Sequence, residues 1–148
     1  ELIRVLEFSI TPFEGLHVVK EARGEIHGVP ELGYLVEQNG KRWLFPGDTR
    51  IYAPERLPDF GRLDSVFAHV WLGRGAALEP TADMLDAFCR FFGRVNTTRL
   101  YLTHLQEISR EAGDYWDGGH VERILAVFRR EFPEKKVEQA VIGDSIVI

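Results

Sequence analysis

Three residues of this sequence carry donor atoms and stand where strand-like runs meet turns. His27 lies in Ile26-His27-Gly28-Val29-Pro30, just ahead of a strand-like run. Asp48 follows Phe45-Pro46-Gly47, and His104 closes Leu102-Thr103-His104, so each sits where a strand ends. Two imidazoles and a carboxylate that converge would present the N and O donors that suit zinc, iron or manganese. Glycines beside His27 and Asp48 permit tight backbone turns near such a centre. Spacing alone leaves a plainer reading open, in which a histidine at a strand end is polar and solvated. His69 ends another short strand. It can give a proton to a leaving group or orient a metal ligand, and it can equally be a structural, hydrogen-bonded histidine. Arg74, between Gly73 and Gly75, can bind an anionic substrate group or stand as a solvated loop arginine.

Other reactive side chains read as structural. Cys89 is the single cysteine and lies between Phe88 and Phe91 within a helical pattern, the setting of a buried inert thiol. One cysteine forms no intrachain disulfide, which fits a reducing compartment and a cytoplasmic location. Asp64 opens a strand and can cap it. His120 opens a helix, as first-turn packing or as support for a ligand. His17 alternates within the strand-like run Leu16–Lys20 and reads as structural or exposed.

The elements that must position these residues follow from periodicity. Ile3, Val5 and Phe8 form a strand-like run, with a turn over residues 11–15 and a second strand over residues 16–20. Gly33–Glu37 and Lys41–Phe45 flank Asn39-Gly40, a strong hairpin signal because both turn residues tolerate positive φ. Residues 63–68 form a buried strand. Met84, Leu85, Phe88, Phe91 and Phe92 recur at helical spacing after Pro80, and Gly93 can cap that helix. Arg99–Thr103 reads as a strand. A second helix runs from about Gly119 to Glu131, with Val121, Ile124, Leu125 and Phe128 as its apolar stripe and Pro133 as its stop. Residues 137–141 and 145–148 close the chain as strands. Strands followed by alternating strand and helix predict an α/β layer, a mixed sheet with helices on one face. The longest irregular stretch, residues 105–117, is polar and charged, the kind of loop that carries function.

Composition narrows the class. The chain has 148 residues, of which 45% are hydrophobic, enough for one globular domain with its own core. The net charge of −5, with signs mixed along the chain, argues against a nucleic-acid binder. No apolar run is long enough to span a membrane. The sequence opens at Glu1-Leu2-Ile3, already inside a strand-like run, so it is expected to be part of a longer chain.

The motifs together carry a resemblance. Ile26-His27-Gly28-Val29 followed by Gly33-Tyr34 resembles the block with the third metal-binding histidine of metallo-β-lactamase-fold hydrolases, ribonuclease Z-like members above all. Phe45-Pro46-Gly47-Asp48-Thr49-Arg50 resembles the block whose aspartate bridges two metals. Leu100-Tyr101-Leu102-Thr103-His104-Leu105 resembles the block with the last metal-binding histidine. All three occur in the family's order, and the resemblance runs from about residue 2 to the C-terminus.

It implies that residues 1–148 form the C-terminal half of an αββα sandwich. The partner half would carry the His-x-His-x-Asp-His signature, which is not found in this chain. It further implies a dinuclear site, zinc foremost, with His27 and His104 each on one metal and Asp48 bridging them. A metal-bound hydroxide would attack an ester, lactone, amide or phosphodiester. After His69 the sequence departs from ribonuclease Z: Val70-Trp71-Leu72-Gly73-Arg74 replaces the expected acidic and aromatic residues. tRNA processing is therefore disfavoured. The rival expectation is a degenerate or truncated domain that serves as a structural or interaction module. In either case a bare sheet face requires cover, from an N-terminal half or from a second copy in a homo-oligomer.

Overall fold

The computed structural model describes residues 2–17, 19–20, 26–27, 30–73, 82–105 and 118–147. Nine strands and two helices are described, with a short 3-10 turn at Pro54–Arg56. The strands are β1 Ile3–Val5, β2 Phe8–Glu14, β3 Val19–Lys20, β4 Ile26–His27, β5 Leu32–Gln38, β6 Lys41–Phe45, β7 Ser65–His69, β8 Arg99–Thr103 and β9 Lys136–Gln139. The helices are α1 Ala82–Arg94 and α2 Gly118–Glu131. Seven strands form one sheet in the order β1-β2-β5-β6-β7-β8-β9, and β3 pairs with β4 apart from it. The half from β1 to β6 is antiparallel and the half from β6 to β9 is parallel, so the sheet is mixed as expected. No helix among the described residues is long and apolar enough to cross a membrane.

Turn chemistry explains the hairpins. Asn39 and Gly40 have φ of 50° and 76°, both positive as a two-residue hairpin turn requires. The first turn differs from expectation. It falls at Leu6-Glu7, with Leu6 at φ 56°, and β2 runs on through Thr11-Pro12-Phe13-Glu14. Pro12 is tolerated because β1 pairs β2 only as far as Ile10. The outer edge at Pro12 therefore faces no β1 residue that needs an N–H donor.

Three further departures are local. Leu16 and His17 lie outside any strand, and β3 begins only at Val19. Gly93 lies inside α1 instead of capping it. A Cβ there would stand 2.4 Å from the Phe132 ring, so the glycine makes room for that ring. Residues 145–147 are not in a strand.

Register sorts the side chains into two faces. Leu35 opposes Leu44, Val66 opposes Leu100, and Ala68 opposes Leu102. This face joins Phe88, Cys89, Phe91 and Phe92 of α1 and Val121, Ile124, Val127 and Phe128 of α2 in one buried cluster. Burying each Leu, Val, Ile or Phe of that layer is worth roughly 1.5–3 kcal/mol relative to exposure.

The opposite face is apolar too. Ile3 opposes Ile10, Pro12 opposes Tyr34, and Val36 opposes Trp43. Phe45 stacks on Phe67 at 4.4 Å between centroids, and Phe67 on Tyr101 at 5.2 Å, an aromatic row across β6, β7 and β8. Ile3, Val5, Leu32 and Tyr34 on this face are exposed. The parallel half also fixes where the chemistry gathers, because β6, β7 and β8 all end at the same edge.

Candidate functional site

Asp48 lies three residues beyond β6, in the loop Pro46-Gly47-Asp48-Thr49-Arg50. Gly47 has φ 77°, and a Cβ there would meet the Glu31 carboxylate and the Leu32 carbonyl, so only glycine fits. The Glu31 side chain accepts a hydrogen bond from the Asp48 backbone N–H. The Glu31 carbonyl also accepts one from Gly15 N–H at 2.8 Å. The carbonyl of Leu16 accepts bonds from Arg50 N–H and Ile51 N–H, at 2.8 and 3.0 Å. These bonds hold residues 15–17 against residues 47–51.

As a result His17, buried, places Nε2 3.1 Å from Asp48 Oδ2. It is thus part of the cluster, a correction to its reading as a strand residue of structural role. The signal that finds it is tertiary backbone bonding, and its own spacing carries none.

His69 ends β7 on the face of Phe67, and its Nε2 lies 3.2 Å from Asp48 Oδ1. His104 follows β8, where continued extension would point its side chain toward the helices. Its φ of 64° turns the chain, and its ring lies against that of His69 with centroids 3.5 Å apart. Val70 N–H donates to the Thr103 carbonyl at 3.0 Å and closes the two strand ends together.

The third side chain on the Asp48 carboxylate is Arg50. Its Nη2 donates to Oδ2 at 2.7 Å, and its Nε lies 3.1 Å from each carboxylate oxygen. The guanidinium carbon stands 5.4 Å over the Trp71 ring. The Trp71 carbonyl accepts a 2.5 Å hydrogen bond from the Tyr52 hydroxyl, and Tyr52 packs against Phe88, Phe91 and Phe92. Burial pushes the Tyr52 hydroxyl far up, so it stays a neutral donor. Burial also pushes Asp48 up. The hydrogen bonds from Arg50 and the charges of His69, Arg50 and His17 outweigh it, and the carboxyl is held below its ordinary range.

The structure therefore brings Asp48, His69 and His104 together. His27 is the last residue of β4, paired with Val19, and is inside a short strand instead of ahead of one. The placement of its side chain lies outside the described residues, as does Arg74. Asp64 is structural: it accepts from Arg42 N–H at 2.9 Å and from Lys41 Nζ at 3.1 Å. His120 is buried in the first turn of α2. Cys89 is buried, and burial pushes its thiol up to about 12, so it stays protonated.

Imidazoles and a carboxylate are the right donor types for a divalent cation. Among the described residues, however, no three His, Cys, Asp or Glu side chains come together in an arrangement that holds a metal ion. Both Asp48 oxygens are instead taken by Arg50. As they stand, these residues do not fit a resident metal by themselves.

Solved proteins share this fold. A metallo-β-lactamase superfamily protein from Thermotoga maritima superposes with a TM-score of 0.58 at 14% identity, over 94% of this chain and 68% of its own. A metallo hydrolase from the archaeon Ignicoccus hospitalis gives 0.61 at 13% identity, over 99% of this chain and 57% of its own. CmlA, a diiron β-hydroxylase from Streptomyces venezuelae, gives 0.59 at 15% identity, over 95% and 32%. No family profile matches the sequence, and no curated protein matches it. The α/β architecture is that of the metallo-β-lactamase fold, and this chain spans between about a third and about two thirds of the length of these three proteins.

Proposed function

We propose that this chain supplies half of the active site of a metal-dependent hydrolase of the metallo-β-lactamase superfamily. The observation that carries the reading is the Asp48 carboxylate between His17 and His69 at the common strand edge. The names of solved proteins with this fold, a metallo hydrolase among them, support it. Zinc is the proposed cation, and iron or manganese suits the same donors. CmlA is by its name a diiron protein on this fold.

The donors that the described residues lack would come from two sources. One is the side chain of His27. The other is an N-terminal half carrying His-x-His-x-Asp-His. That half would seat on the apolar face where Ile3, Val5, Leu32 and Tyr34 are exposed, and a second copy of the chain is the other occupant to test. In this reading Asp48, His17 and His104 supply ligand atoms. His69, beside Asp48, delivers a proton to the leaving group. The substrate is an ester, lactone, amide or phosphodiester. The net charge of −5 disfavours a long nucleic acid. The lone buried cysteine supports a cytoplasmic setting.

The rival, a module without catalysis, draws on the Arg50–Asp48 pair that stands where a cation would. The deciding measurement is on the full-length protein: metal content by elemental analysis, and turnover of ester, lactone, amide and phosphodiester substrates. The proposal expects bound divalent metal and hydrolysis that Asp48→Asn lowers by on the order of a hundredfold or more. A folded full-length protein with neither metal nor turnover would favour the rival.

A further inference from the structure

We propose that a pocket at the opposite end of β7 from His69 binds a free α-amino acid with an apolar side chain, Arg94 receiving its carboxylate and Asp59 its ammonium group. The inference concerns a part of the chain that the metal-dependent reading does not use, and it stands or falls without it.

The pocket is an open cavity of about 260 Å³ between residues 54–63 and the C-terminal end of α1. The buried Leu63 and Phe91 line it together with the half-buried Leu57, Phe60 and Val95. Pockets for drug-sized ligands start at about 300 Å³. This one therefore suits a smaller body, of the size of a leucine, whose side chain gains by leaving water for an apolar lining.

The lining is held by contacts that leave the cavity itself free. Arg42 donates through Nη1 to the carbonyls of Phe60 and Arg62, at 2.6 and 3.1 Å. The Phe60 ring packs on that of Phe13, with centroids 4.9 Å apart. Leu63 N–H donates to the Asn96 carbonyl at 2.9 Å, and Lys135 Nζ donates to the carbonyls of Val95 and Thr97 at 2.8 Å. Both segments are thus in place before a ligand arrives, which spares binding the cost of ordering them.

The charges select the ligand. Arg94 and Asp59 are exposed on the lining of the same small cavity. Among the described residues neither forms an ion pair, with the other or with a third group. Asp59 Oδ1 accepts the Gly61 N–H at 2.8 Å, which fixes that carboxylate at the rim. A simple anion would meet Arg94 and be repelled by Asp59, and a simple cation the reverse. A molecule carrying both charges beside an apolar group complements all three parts of the lining. A free α-amino acid has that form, with its carboxylate and ammonium on one carbon.

The test is calorimetric titration of the full-length protein with L-leucine. The variants are Arg94→Gln and Asp59→Asn, each removing one exposed charge; asparagine keeps an oxygen for the Gly61 N–H. Each should weaken L-leucine binding by about tenfold, the loss of one hydrogen-bonded charge contact. L-leucinamide, which lacks the carboxylate, should bind wild type about tenfold more weakly than L-leucine and lose little more in Arg94→Gln. N-acetyl-L-leucine, which lacks the ammonium group, should behave likewise toward Asp59→Asn. Glycine should bind at least about tenfold more weakly than L-leucine, because it leaves the apolar lining unfilled. In NMR spectra L-leucine should shift the methyl signals of Leu57, Leu63 and Val95.

A folded wild-type protein that does not bind L-leucine overturns the inference. So does N-acetyl-L-leucine or L-leucinamide binding as tightly as L-leucine, because the pocket would then read one charge only. Unchanged affinity in both variants, or methyl shifts confined to other parts of the chain, would place the binding elsewhere and overturn it too.

Discussion

His69 and His104 lie ring against ring, 3.5 Å between centroids, at the ends of two neighbouring parallel strands. The contact depends on the left-handed φ of 64° at His104, which a non-glycine residue adopts at a cost of about 1–2 kcal/mol. Strain of this kind persists where the surroundings impose it and function uses it. His104→Gly should relieve the backbone and lose the ring contact together. Its metal-free stability is expected within about 1 kcal/mol of wild type, while divalent-metal affinity in the full-length protein falls by at least about tenfold. Denaturant unfolding and calorimetry separate the two effects. A loss of several kcal/mol in stability would make His104 a core residue and not a ligand.

Asp48 predicts a pH signature in the metal-free protein. Its folded pKa lies below the ordinary carboxylate range, because Arg50 and its neighbours outweigh burial. A depressed folded pKa contributes stability that is present above the unfolded value and is lost as pH falls through the folded one. In chelator at neutral pH, Asp48→Asn should be less stable by about 1–3 kcal/mol, as befits a pair between exposed and buried. The two stability curves should converge as acid protonates Asp48. Parallel curves from neutral pH to strong acid would show that the ion pair contributes nothing.

Gly93 and Phe132 predict a coupled pair in the fold. A Cβ at position 93 would lie 2.4 Å from the Phe132 ring. Alanine gains up to about 1 kcal/mol in helix propensity over glycine, while overpacking costs about 1–3 kcal/mol. Gly93→Ala should therefore be destabilised by on the order of 1 kcal/mol. Gly93→Ala with Phe132→Leu should be more stable than the sum of the single changes predicts, and a double-mutant cycle measures it. Simple additivity would mean that the ring moves aside without cost.

The exposed apolar residues of that sheet face predict how the 148-residue chain behaves in solution. Val5, Leu32 and Tyr34 are exposed beside the half-buried Phe45 and Phe67. A contiguous apolar face of this kind drives association. Sedimentation should show self-association that Tyr34→Lys with Val5→Lys reduces. A monodisperse monomer that does not bind an apolar dye would remove the argument for a covering partner.

Much of the fold was legible because local chemistry determined it. Asn39-Gly40 named its own turn, and the phenylalanines of α1 and the stripe of α2 marked the buried sides of both helices. The edge shared by Asp48, His69 and His104 was legible because each residue follows a short apolar run. What was not legible is set by contacts across the chain. Leucine is a poor turn residue, so the turn at Leu6 was hidden, and Pro12 looked like a breaker until the short reach of β1 explained it. His17 was hidden by a strand-like neighbourhood, because the bonds from Arg50 and Ile51 to the Leu16 carbonyl are what bring it to Asp48. Arg50 passed as the last letter of a motif, and only geometry shows it on both carboxylate oxygens.

The order of the main sheet, β1-β2-β5-β6-β7-β8-β9, follows the order of the chain. During synthesis each new strand of that sheet can therefore add to the edge its predecessor has just offered, with no earlier gap held open for a later strand. Non-local pairing slows folding because loop closure must precede the contacts that reward it, and here each closure spans only the connection between successive strands of the sheet. The site inherits the same timetable. His17 emerges first and Asp48 follows, His69 arrives with the next strand, and His104 with the one after. The cluster is assembled from one side to the other, and each arrival finds the earlier groups already placed to receive it.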